Sequence, residues 1–137
     1  MHITYFFGSE VELHGNLAAA TGRTNSPSVN VFVYLFDLTD PENPVERSSI
    51  TSAFQSFGFG SGALSIQGDL LAIGDLIAPD VGGAGGAVDL FNISDLGNPV
   101  LSKRITANDG SANAFFGSAV ELSGDLLLVG AYWDDSN

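Results

Sequence analysis

The chain contains no cysteine among its 137 residues. A disulfide framework and a thiolate metal site are both excluded by that absence. Only two histidines are present, His2 and His14, too few to build a zinc cage and a poor start for a nucleophilic triad. His14 lies beside a glycine in a turn-like stretch, where an exposed turn residue is a simpler reading than a general base. Arg23, Arg47, Lys103 and Arg104 are the whole basic inventory, against 16 acidic residues and a formal charge of −12. Such a chain cannot neutralise a run of phosphates, so no nucleic-acid partner and no docking on anionic membrane are expected. The acidity reads first as solubility. Apolar runs are too short to cross a bilayer as helices, and no membrane insertion is expected. The opening Met1-His2-Ile3-Thr4-Tyr5 lacks a basic region followed by an apolar stretch, so no signal peptide is visible.

What the chain has in abundance is glycine, 17 residues of it, with 45% hydrophobic residues to fill a core. That balance predicts an all-β protein with many tight turns. It also repeats itself. Phe7-Gly8-Ser9, Phe59-Gly60-Ser61 and Phe116-Gly117-Ser118 open three similar segments, whose starts lie 52 and then 57 residues apart. Each opens an alternating run, such as Val11 and Leu13 against Glu10, Glu12 and His14, the mark of a half-buried strand. A turn follows at Gly15-Asn16, Gly68-Asp69 and Gly124-Asp125, which predicts a tight hairpin. The second strands, Leu17 to Ala20, Leu70 to Ile73 and Leu126 to Val129, are apolar throughout and suit burial on both faces.

A second pair of strands completes the unit. Val31 to Leu38 is matched 55 residues later by Gly86 to Ile93, and each leads into an Asp-, Asn- and Pro-containing turn. Strands over Val45 to Ile50 and Val100 to Thr106 follow. Four antiparallel strands per repeat describe a β-propeller blade. We expect a single domain over 1–137, with one blade at about 7–51, a second at about 57–106 and a partial third at about 115–137. The repeated Phe7, Phe59 and Phe116 are expected between blades, as core residues. The loop after the second strand varies between copies, and variable loops on a rigid scaffold are where binding residues concentrate.

At Phe116-Gly117-Ser118 through Val129-Gly130-Ala131, continued by Gly86-Ala87-Val88 and Phe91, the chain resembles the FG-GAP repeat family. These repeats form the blades of integrin-α-type propellers and of many bacterial surface proteins. The resemblance implies a propeller fold, a binding or adhesion role and an extracellular or cell-surface setting. Calcium-binding members carry an acidic loop between the first two strands. Here that connection is only a tight turn with one Asp69 or Asp125, which cannot supply the six to eight oxygen ligands of Ca²⁺. No cofactor is expected, although the loop aspartates leave room for a weak Ca²⁺ site. Two and a half blades fall short of a closed ring, which typically has about four to eight. We therefore expect the chain to be a fragment or a homo-oligomer joined at the half-blade.

One local group carries possible chemistry. Tyr132 and Trp133 stand beside Asp134 and Asp135, with Asp75 and Asp80 in the corresponding loop of the second repeat. An aromatic face for a sugar ring, with carboxylates for hydroxyls or a cation, would make a ligand site of these six residues. Aromatic packing between blades, next to solvated aspartates, is the commoner use of such a group. The sequence thus points to a non-catalytic module that presents loops to a protein or glycan. Its alternatives are a structural repeat unit without a ligand and, more distantly, a glycan-cleaving enzyme using paired carboxylates.

Overall fold

A computed structural model describes residues 4–24, 30–78, 85–107 and 114–133. Within them the alternating segments form ten strands and no helix. The strands are β1 (Thr4–His14), β2 (Leu17–Thr24), β3 (Asn30–Asp37), β4 (Val45–Thr51), β5 (Phe59–Gln67), β6 (Leu70–Asp75), β7 (Ala87–Asn92), β8 (Val100–Ile105), β9 (Phe116–Ser123) and β10 (Leu126–Ala131). They pair antiparallel in chain order as three sheets, β1-β2-β3-β4, β5-β6-β7-β8 and β9-β10. The all-β architecture and the four-stranded repeat are as expected. The three sheets stack one on the next, and within the described residues they do not close into a ring.

The hairpins form because glycine permits them. Gly15, Gly68 and Gly124 have φ of +57°, +54° and +56°, while the residue after each stays at negative φ. Positive φ at the first central residue alone is the type II′ arrangement, whose twist matches that of the paired strands. The turn before β4 and its counterpart before β8 are built alike as well. Asp37 Oδ1 accepts from Thr39 N at 2.9 Å and Thr39 Oγ1 at 2.7 Å, and Asn92 Oδ1 accepts from Ser94 N and Oγ at the same two distances. Asp40 and Asp95 then hold the backbone N–H groups of Glu42 and Gly97. Three of the acidic residues, Asp37, Asp40 and Asp95, thus close turns, because short carboxylate side chains satisfy nearby N–H groups.

Two apolar layers hold the stack. Between the first and second sheets lie Val33, Leu35, Ile50, Phe59, Leu64, Ile66, Leu71, Ile73 and Phe91. Between the second and third lie Ala72, Val88, Val120 and Leu122, with Phe116, Leu127 and Val129 packed against them. Phe59 is fully buried and Phe116 partly so, as core residues should be. Phe7 departs from that expectation at 58% exposure. It lies on the outer face of the first sheet, against Tyr34 and Phe36 at ring-centroid distances of 5.6 and 6.2 Å, where no described sheet covers it.

Candidate ligand cleft and aromatic platform

The link from β4 to β5 runs across the junction of the first two sheets. Its own sequence folds it: Ser52 Oγ accepts from Phe54 N at 3.1 Å and Ser56 N at 3.3 Å, and Gln55 takes a positive φ of 55°. Side-chain-to-backbone bonds of this kind favour turns over strands. The link is then pinned to the second sheet at two points. Ser56 Oγ donates to Asp75 Oδ1 at 2.5 Å, and the Arg104 guanidinium lies 4.1 Å from the centre of the Phe54 ring.

Both anchors belong to one buried charged group. Arg104 Nη1 donates to the two Asp89 oxygens at 2.8 and 2.7 Å, and its Nη2 donates to Asp75 Oδ2 at 3.0 Å. The two carboxylates are buried and the Arg104 side chain is only 9% exposed. Buried carboxylates are tolerated when paired and hydrogen-bonded. This group therefore fixes the link, and with it Phe57, which is left exposed.

The pinned link walls a cleft of two adjoining hollows. One, of about 500 Å³, is lined by Asn30, Val31, Thr51, Ser52, Gln55, Ser56 and Phe57. The other, of about 240 Å³, adds Ser9, Thr21, Arg23 and Ser61, and the two share Val31 and Phe57. Hydroxyl and amide groups around one aromatic ring, with a single cation, suit a neutral polyhydroxylated ligand better than a polyanion.

The end of β10 carries a second feature. Tyr132 stacks on Phe115 with centroids 5.2 Å apart and planes 5° from parallel, and Trp133 meets both rings edge-on at 5.5 and 5.8 Å. Phe115 itself sits at φ +50°, a conformation unusual for a large side chain. Tyr132 and Trp133 remain 62% and 63% exposed, so the rings pack on one another while keeping their outer surfaces in solvent.

Of the six residues expected at a ligand site, the structure brings Tyr132 and Trp133 together. Asp75 is placed elsewhere, buried at the end of β6 and engaged by Arg104 and Ser56, not on a loop. Asp80, Asp134 and Asp135 lie outside the described residues. Among the described residues no group of three or more His, Cys, Asp or Glu converges as a metal site. Sequence reasoning passed over Phe57, Gln55 and Arg104. The available signals were two aromatics in an inter-repeat link and Asp89, a charge interrupting an otherwise apolar strand.

Residues 100–137, spanning β8 to β10 and beyond, match the model of the FG-GAP repeat. No curated protein and no solved structure matches the chain. The repeat match and the all-β stack together make this a β-propeller-like repeat module.

Proposed function

We propose that this module is a non-catalytic binding or adhesion unit that presents its inter-strand loops to a glycan or a protein at the cell exterior. The aromatic platform of Tyr132 and Trp133, exposed and braced by the half-buried Phe115, carries the reading. Stacked rings with open faces match the C–H face of a sugar ring, and they expend little conformational entropy on binding because they already brace one another. The cleft beside Phe57, lined by hydroxyl and amide groups, is a separate second place where a glycan could be held. A glycan array, followed by titration of the best ligand, tests this directly. Trp133→Ala is expected to weaken binding roughly tenfold, the value of about 1.4 kcal/mol of ring stacking. Unchanged affinity in that variant removes the platform from the site.

A structural unit with no ligand of its own is the second reading. It is favoured by how much of the sequence the sheet stacking consumes, from the buried Phe59 to the turn-capping Asp40 and Asp95. Failure of the unmodified chain to bind any glycan or protein in such screens would support it. Glycan cleavage is tested separately, by turnover of glycoside substrates.

A further inference from the structure

Each end of the stack leaves open a face whose equivalents are covered elsewhere in the chain. Inside the chain, each sheet offers a forward face to the next sheet, which meets it with a rear face. On the second sheet the rear face is Phe59, Leu64 and Ile66, buried against the first sheet. On the third it is Phe116, Val120 and Leu122, against the second. The equivalent residues of the first sheet are Phe7, Val11 and Leu13, and they stand 58%, 67% and 66% exposed.

The forward face is equally incomplete at the other end. Ala72 is fully buried in the layer between the second and third sheets. Its counterpart on β10 is Leu128, 74% exposed, with Leu126 beside it on the same face. Two leucines stand open where the internal interface has Leu70 and Ala72.

A polar contact repeats in the same register, and the second interface adds a backbone one. Glu12 Oε1 accepts from Ile66 N across the first interface at 3.4 Å, and Ser65 Oγ accepts from Leu122 N across the second at 3.0 Å. The next acceptor in the series is Glu121, exposed on the outer side of β9, and the next donor is the N–H of Leu13. At the second interface a β-carbon on Gly74 would overlap the Gly117 carbonyl, so the Phe-Gly motif of one sheet rests on a glycine of the sheet before it. Gly130 occupies the position of Gly74 at the open forward end. Gly8, already at φ +78°, is the Phe-Gly glycine at the open rear end.

We propose that a second copy of this chain docks head to tail, its β1 face covering the β9–β10 face of the first. Leu126 and Leu128 of one copy pack on Val11 and Leu13 of the other. Glu121 accepts from the Leu13 N–H, and Gly8 seats on Gly130. The contact continues a sheet stacking the chain already makes twice within itself, with the glycine-on-glycine seat of the second interface. Both halves lie on the same chain at opposite ends, so the association is heterologous and propagates to a ring or a short chain of copies.

Light scattering on a size-exclusion column, over a tenfold range of concentration, reads the outcome. The unmodified chain, of 14.2 kDa, is expected to show at least twice that mass at the upper concentrations. Leu128→Asp spoils only the forward face and Leu13→Asp only the rear face, so each variant alone is expected to run as a monomer. Mixed together they still hold one intact face each and should form a one-to-one heterodimer. That rescue also shows both variants to be folded. A monomeric unmodified chain at every concentration overturns the proposal, and assigns these faces to some other partner. Failure of the mixture to pair while the unmodified chain is oligomeric also overturns it, because the contact would then be between like faces.

Discussion

The two interfaces inside this molecule are made from the same repeat, yet they close in different ways. Between the first and second sheets, large side chains interdigitate, and Gly60 lies where a β-carbon would stand 2.8 Å from Thr21 Cγ2 and 3.0 Å from Val33 Cγ2. Between the second and third, the position of Thr21 is taken by Gly74, and backbone rests on backbone. The apolar cluster there is correspondingly small. A repeat motif therefore specifies strand order and hairpins, while one residue opposite it decides whether sheets meet by side chains or by main chain. The first interface also has something the second lacks among the described residues: the Arg104, Asp75 and Asp89 group at its edge.

The largest expected effect comes from breaking that group. Arg104→Ala leaves two buried carboxylates without their cation and removes the partner of Phe54. A loss of about 3–5 kcal/mol is expected in urea unfolding, as for other buried pairs broken on one side. A loss below about 1 kcal/mol would mean that water reaches the group and that the link is held by Ser56 alone.

Next in size, Gly74→Ala should separate the interfaces. Its methyl group meets the Gly117 backbone, which has no flexible end to swing aside, so about 1–3 kcal/mol of strain is expected. In hydrogen exchange the lost protection should appear in β9 and β10 and leave β1 to β4 unchanged. Uniform loss across all three sheets would show that the stack unfolds as one unit, without a weaker second joint.

The smallest effect concerns the turns. Hydrogen bonds from the Thr39 side chain and backbone, aided by Arg47, hold the Asp37 carboxyl below its ordinary range. The folded state then gains stability above the unfolded carboxylate pKa and loses it as pH falls through the lowered value. Thr39→Ala should move Asp37 back towards ordinary, read by carboxyl carbon NMR. In the second repeat Asn92 stands at the position of Asp37, so its bonds to Ser94 carry no such pH dependence. An unmoved Asp37 would assign the shift to Arg47 and the backbone N–H instead.

Local features were legible in the residues themselves. Gly15, Gly68 and Gly124 announced their hairpins because only a positive φ closes so short a turn. The alternation of Val120, Glu121 and Leu122 revealed which face of β9 is buried. Phe7 shows where such reading stops: it has the same local sequence as Phe59, but its burial depends on a neighbour that local sequence cannot supply. Asp75 shows the same limit in reverse. Its position after an apolar run and before glycines read as a loop, whereas Arg104, 29 residues away, draws it into the core. The cleft was hidden for a related reason, since its walls come from β1 to β5 and the link, each unremarkable alone.

By itself, then, the sequence determined the strand periodicity, the places of the tight hairpins and the order of pairing, because these depend on contacts between residues close along the chain. Only the tertiary structure decided which repeats are covered, which carboxylates are buried with an arginine and which aromatics stay in solvent. Those outcomes depend on how sheets distant in sequence meet. A single β-carbon at Thr21 or its absence at Gly74 is enough to change that meeting, because packed interiors leave no spare volume for it.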